Sequence, residues 1–268
     1  MSAAPGGTKA GRWGDLKSRA LSAVVMLSLG IGAIVKGGIL FAALAVIVTG
    51  LMIWELAAMT APARRSVSVA LGVLASLALA SVLILHSPFS LIALLMVPLA
   101  GAAMPRRDRI LFGLYGLAIM LSGYGLVALR EGVGLAIIVW LVAVVVVSDI
   151  AGYFAGKTFG GPKFWPAISP KKTWSGTVAG WVGAMLVGAV FWLTGYGWMF
   201  VVLSPFVAFA GQMGDIVESW LKRRAGVKDS SSLIPGHGGV LDRFDALVGA
   251  VVLLLLLALV TRLPLVGG

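Results

Sequence analysis

The chain has 268 residues, of which 60% are hydrophobic and 12% charged, where a soluble domain carries about 45–50% and about 25%. That balance, with a mean hydropathy of +1.04, excludes a water-soluble globule and demands lipid as the solvent for most of the surface. A net charge of +11 in a soluble chain would point to nucleic acid, and the absence of cysteine excludes disulfides, thiolate ligands and cysteine nucleophiles.

In chain order, Lys9, Arg12, Lys17 and Arg19 precede a first apolar run, a layout shared by signal peptides and first spanning helices. Eight further apolar segments follow, which favours a retained helix. A span of about 20 residues crosses the hydrocarbon core, and lipid offers backbone groups no partner, so each span must be helical. The pattern predicts an all-α polytopic bundle of about nine helices, over roughly 20–35, 38–60, 67–86, 88–104, 110–129, 133–154, 176–194, 198–217 and 246–263. Tight connections are expected at Lys36-Gly37-Gly38 and Ser87-Pro88. With the amino terminus in the cytoplasm, only Lys36, Arg130 and Arg262 of the 21 basic residues fall outside, as the positive-inside rule requires. An even number of helices would put a basic loop on the wrong side.

The chain reads as 1–140, a lipid-facing bundle of transmembrane helices, and 141–268, a catalytic transmembrane region with cytoplasmic loops 155–175 and 218–245. Glycines within apolar runs, such as Gly180, Gly183, Gly113, Gly116, Gly123 and Gly125, read as close-packing positions between helices.

Six of the ten acidic residues lie in the second half, and ionisable groups at membrane depth are costly enough to be functional by default. Asp149 and Asp215 end apolar runs and are expected at cytoplasmic helix ends, where the dipole opposes a carboxylate. Asp215, Glu218, Ser219 and Lys222 share one face of a helix continuing past 214, and Asp242 and Asp245 stand three apart at the start of the last helix. Carboxylates without cysteine or clustered histidine suit a hard cation such as Mg²⁺ and, through it, a phosphate. The plainer explanation, helix-start carboxylates favoured by the dipole, serves Asp242 and Asp245 alone.

Two basic loops accompany these acids. Ser169-Pro-Lys-Lys-Thr-Trp-Ser-Gly176 offers ammonium groups and hydroxyls for phosphate, although membrane topology alone would supply some of that charge. In Pro235-Gly-His-Gly-Gly-Val-Leu-Asp-Arg-Phe-Asp245 three glycines surround one histidine and allow close backbone approach to a ligand.

At these residues the sequence resembles the phosphatidate cytidylyltransferase, or CDP-diacylglycerol synthase, family. The run Ser219-Trp-Leu-Lys-Arg-Arg-Ala-Gly-Val-Lys-Asp-Ser-Ser-Ser-Leu-Ile-Pro-Gly-His-Gly-Gly-Val-Leu-Asp-Arg-Phe-Asp245 is similar to its carboxy-terminal signature. Asp149-Ile-Ala-Gly-Tyr-Phe-Ala-Gly156, Ser169–Gly176 and Gly211-Gln-Met-Gly-Asp-Ile-Val-Glu-Ser219 match further elements. The resemblance covers about residues 145–250, with Ser175 where the family usually has Glu and Gly152 where Ala is usual.

The resemblance implies transfer of a cytidylyl group from CTP to phosphatidate, giving CDP-diacylglycerol and pyrophosphate, with Mg²⁺ and room for a second cation. On that basis Asp215 and Asp242 are expected to bind the metal, with Asp245 and Asp149 completing or orienting its shell, and Asp215, Lys222, Asp242 and Asp245 are the expected catalytic set. Ser169, Lys171, Lys172, Thr173, Arg223, His237, Gly238, Gly239 and Arg243 would bind substrate. Expected partners are CTP, phosphatidate and membrane lipid, without nucleic acid; a homodimer is left open. The expected location is a bacterial plasma membrane with the site facing the cytoplasm. A cytidylyltransferase acting on an ether lipid, and an anion transporter, are the alternatives.

Overall fold

The computed structural model describes the backbone of residues 9–261 and the side chains of residues 19–260, so the side chains of Lys9, Arg12 and Lys17, and Arg262 as a whole, lie outside the described residues. The helices are α1 (Lys9–Lys36), α2 (Gly38–Thr60), α3 (Arg65–Leu85), α4 (Ala93–Ala103), α5 (Arg109–Gly132), α6 (Leu135–Phe159), α7 (Trp174–Phe191), α8 (Met199–Ala225) and α9 (Leu241–Thr261). All but α4 are long and apolar enough to cross a membrane. A 3₁₀ turn over Pro88–Ile92 leads into α4; together they rise about 26 Å, a little short of the ~30 Å hydrocarbon core.

The ends of the helices sort onto two faces. On one, the Arg107 N–H donates to Thr60 O at 3.0 Å, Arg106 Nη1 to Thr60 Oγ1 at 3.0 Å, and Arg224 Nε to Asp108 Oδ2 at 3.0 Å. This gathers the ends of α2, α4 and α8 with the start of α5. On the other, Arg130 Nε donates to Ile34 O at 3.1 Å, and a cavity of about 470 Å³ lies between His86, Pro88 and Glu131. The short fourth element therefore runs from face to face beside the eight helices long enough to span. Lys36 and Arg130 sit on the second face, as the charge pattern predicts.

Two expectations are corrected. Helices α6 and α8 run to Phe159 and Ala225, past the expected ends at 154 and 217, so Asp149 and Asp215 stand well inside their helices. The dipole acts mainly in the last turn, so it does not bear on them. The loop before α7 also contains an antiparallel hairpin of β1 (Lys163–Trp165) and β2 (Ser169–Thr173), registered Lys163 to Thr173 and Trp165 to Ser169. Strands this short, with Pro170 in one of them, leave no alternating pattern to read.

Two apolar cores hold the bundle. One joins α2, α3, α4 and α5 to Leu221, Leu241 and Val248; the other joins α2, α5 and α6 to α7, α8 and α9 around Trp140. Both draw residues from either side of position 140. Glycine sets the closest approach: a Cβ at Gly214 would meet the Asp245 carbonyl, and one at Gly249 the Ala210 carbonyl. With those side chains absent, α8 and α9 pack backbone to backbone, which brings Asp215 and Asp245 to one place.

Candidate active site

The 3.6-residue period of α8 puts Asp215, Glu218, Ser219 and Lys222 on the face turned to α9, and Ser219 Oγ donates to Asp215 Oδ1 at 3.2 Å. Asp215, Glu218 and Asp245 each offer a carboxylate oxygen, and the three lie within 4.8 Å of one another. Glu218 is fully buried. It pairs with the ammonium of Lys222, and beyond that ion pair neither of its oxygens has a hydrogen-bond partner among the described residues. Lys222 also donates to Asp242 Oδ1 at 2.6 Å and so bridges α8 to the start of α9. Lys172, from β2, stands 2.5 Å from Asp215.

Beside this cluster opens a cleft of about 380 Å³, lined by Asp149, Lys157, Lys171, Lys172, Thr173 and Asp215 among others. Carboxylates and ammonium groups thus share one space. It is built from α6, the hairpin, α7 and α8, and it contains three of the four segments that carried the sequence resemblance.

The fourth segment, the glycine loop, faces inward. Asp242 Oδ2 accepts from the Ser230 N–H at 2.9 Å, Ser230 Oγ at 2.9 Å and the Gly239 N–H at 2.7 Å. Glu55 reaches the same loop from α2. Its Oε1 accepts from Ser231 Oγ at 2.6 Å and the Val240 N–H at 2.9 Å; its Oε2 accepts from Ser230 Oγ at 3.2 Å and the Leu241 N–H at 2.6 Å. A fully buried carboxylate so satisfied caps the first turn of α9, whose N–H groups have no partner within the helix. Gly238 takes a φ of +85°, and a Cβ at Gly239 would stand 2.5 Å from Glu55 Oε1, so both positions require glycine.

Other expected site residues have partners within the protein. His237 Nδ1 lies 2.9 Å from Ser22 Oγ of α1, and Arg243 donates twice to the His237 carbonyl, at 3.0 and 2.6 Å. Thr173 Oγ1 accepts from the Gly176 N–H at 3.2 Å as the N-cap of α7, and Ser175 Oγ donates to Gly160 O at 2.5 Å. Lys171 and Arg223 are exposed on the basic face, and Ser169 opens β2. Outside the membrane spans, the Arg224 fork holds the Asp108 carboxyl below the usual carboxylate range, and burial followed by the nearby Arg64 charge lowers Arg106.

The structure therefore brings Asp149, Asp215, Asp245, Lys171, Lys172, Lys222 and Asp242 into one neighbourhood, and it turns His237, Gly238, Gly239 and Arg243 toward loop architecture. The candidate residues from the sequence did not include Glu218, although its i+3 spacing from Asp215 was visible. Glu55 was missed too; its only signal is a lone carboxylate in an apolar span.

Residues 17–261 match the profile of the cytidylyltransferase family. Among curated proteins, the phosphatidate cytidylyltransferase of Brucella suis is 47% identical over 138 residues, covering 50% of this chain and 51% of the relative. That of Bacillus subtilis is 42% identical over 118 residues, 42% of this chain and 44% of the relative. The Haemophilus influenzae protein of the same name is 39% identical over 130 residues, 44% of each chain. The chain spans about half the length of the curated relatives it matches.

Proposed function

The chain belongs to the cytidylyltransferase family, and from that premise we propose that it transfers the cytidylyl group of CTP to phosphatidate, forming CDP-diacylglycerol and pyrophosphate. The observation that carries the reading is the convergence of Asp215, Glu218 and Asp245 beside Lys172 and Lys222. A phosphate oxygen of phosphatidate attacks the α-phosphorus of CTP, and the bond to the β-phosphate breaks to release pyrophosphate. The nucleophile has a second pKa near ~6, so it is largely dianionic at neutral pH and needs no general base. What the protein must supply is charge neutralisation and alignment of two polyanions.

Asp215, Glu218 and Asp245 suit Mg²⁺: all three are hard oxygen donors, and Glu218 is buried with unfilled acceptor capacity. Bound there, the ion would supply Lewis-acid stabilisation of phosphoryl charge. In this reading Asp149 adds negative charge across the cleft, where a second cation would be held. Lys171, Lys172 and Arg223 attract the phosphates, with Ser169 at the hairpin as a donor. Asp242 holds Lys222 and the glycine loop in place, with His237, Gly238, Gly239 and Arg243 shaping the loop that buttresses the start of α9.

The division at residue 140 is kept as one of chemistry: residues 141–268 carry the groups that meet substrate, and 1–140 supply support and lipid contact. The basic face is assigned to the cytoplasm and the membrane to a bacterial inner membrane. This rests on the positive-inside pattern and on bacterial relatives.

The test is to follow radiolabelled CTP into an organic-extractable product with the purified protein, omitting phosphatidate and Mg²⁺ in turn. Product that needs both, and vanishes in Asp215→Asn, is expected. A folded protein that forms none with phosphatidate would overturn the reading.

A further inference from the structure

One wall of the 380 Å³ cleft is made by α6, whose Asp149, Tyr153 and Lys157 recur every four residues and so rise along one face of the helix. The cleft has the size of a small-molecule site. Its remaining lining residues are acidic, basic, hydroxylic, amide or glycine, so Tyr153 is the one aromatic ring among them. The residue is 62% exposed. Its ring meets Phe154 edge-on at 5.4 Å, and Lys157 Nζ stands 5.8 Å from its centroid.

The cleft is therefore divided by chemistry along its length. At one level Lys172 pairs with Asp215 at 2.5 Å and donates to the Gln212 carbonyl at 3.4 Å, in the same lining as Asp149. The ring stands one helical turn along α6 from Asp149, about 6 Å at about 1.5 Å per residue. Gly152 and Gly156, before and after it on the same wall, bring no side chain to compete with it. A nucleoside triphosphate is divided in the same way, into a polyanion that needs cations and a flat base that is apolar on its faces. Every base has such a face, and aromatic side chains bind it by stacking. A ring at this level also suits an interfacial anchor, but Phe154, equally exposed and outside the cleft lining, is the one placed for that role.

We propose that Tyr153 is the platform on which the base of the nucleotide stacks, with the phosphates on the Lys172 and Asp215 side of the cleft. The inference rests on the reading of the chain as a CTP-using enzyme and deepens it. It gives the nucleotide a polarity along α6, base toward Lys157 and phosphates toward Asp149, with the turn between them left for the ribose. It makes Tyr153 a substrate-binding residue whose contribution is separate from that of the charged groups.

The test is calorimetric titration of the full-length protein in detergent, with Mg²⁺ present, using CTP and inorganic triphosphate against wild type, Tyr153→Phe and Tyr153→Leu. Loss of the ring in Tyr153→Leu is expected to weaken CTP about 5–150-fold, the equivalent of about 1–3 kcal/mol for one stacked base. Triphosphate stays within about twofold of wild type, and Tyr153→Phe keeps CTP within about threefold, well short of that loss. Three results overturn the proposal. One is CTP bound by Tyr153→Leu within about twofold of wild type, short of the smallest stacking contribution. Another is an equal loss of CTP and triphosphate, which would make the ring a support for the cleft or an anchor in the interface. The third is a loss in Tyr153→Phe as large as that in Tyr153→Leu, which would assign the contact to the hydroxyl. If Tyr153→Leu does not fold, Tyr153→Gln, polar enough for an exposed position, is judged by the same criteria. Wild type that binds CTP but forms no lipid product fails the functional reading alone, and the titration still decides Tyr153; wild type that binds no CTP overturns both.

Discussion

Lys222 Nζ donates to Asp242 Oδ1 at 2.6 Å while the same ammonium pairs with Glu218 one turn earlier on α8. One cation thus serves two carboxylates on two helices, in a place that is mostly buried. Lys222→Met leaves Glu218 without its counter-charge, and breaking one side of a buried pair costs about 3–5 kcal/mol. Thermal unfolding is expected to show that loss together with loss of turnover. In the double variant Lys222→Met/Glu218→Gln stability returns in part and activity does not; full recovery of activity would remove both residues from the chemistry.

Glu55→Gln keeps the shape of the side chain but puts an amide donor against four donors. The buried mismatch costs about 2–4 kcal/mol, taking the penalty for unsatisfied buried groups near a charged partner. Turnover is expected to fall, because the loop holding Asp242 and the start of α9 loses its anchor. Hydrogen exchange should report faster opening over residues 230–241; exchange there at the wild-type rate would show that Glu55 does not hold the loop.

Gly239→Ala drives a methyl group toward Ser230 and Glu55, and overpacking of this kind costs about 1–3 kcal/mol. Gly32→Ala is the control, since a Cβ there meets nothing within 4 Å. Thermal stability that falls equally in both variants would contradict the packing described for the loop.

Thr173→Ala removes the cap of α7 and is expected to cost about 1 kcal/mol, whereas Thr173→Ser retains the accepting oxygen and stays near wild type. Equal unfolding midpoints for the two variants would count against the cap.

The fork from Arg224 to Asp108 gives a pH dependence with a definite sign. The folded carboxyl is held below its ordinary value by the Arg224 hydrogen bond. Its contribution is therefore complete above the unfolded pKa of about 3.9 and disappears as pH falls through the folded value. The Tm difference between wild type and Asp108→Asn should be constant near neutrality and shrink below about pH 4. A difference that grows on acidification would reverse the assignment.

Spans and the acidic clusters of the second half were legible because hydropathy and i, i+3 spacing are local properties of the chain. Asp215, Asp245, Lys172 and Lys222 were found in this way, and the structure puts them together. Glu55 and the Asp108–Arg224 fork were not, since each depends on a partner more than 100 residues away and leaves no periodic trace. The extent of α6, and that of α8 beyond Lys222, were missed for a different reason. Their last turns are polar and leave the hydrocarbon, so hydropathy stops before the helix does. The internal partners of His237, Gly239 and Arg243 were not legible, because a motif does not reveal which groups its loop bonds within the protein.

The four donors to Glu55 come at least 175 residues later in the chain. At a synthesis rate of about 5–20 residues per second, α2 waits about 9–35 s for them. Through that interval a carboxyl group sits in an apolar helix with nothing to receive it, a placement costly at membrane depth. The bundle can close only after residue 241 has been delivered, and a stalled chain displays an unmet acid within its second span. The polar needs of the second span are thus met only by the last stretch of the chain to be made.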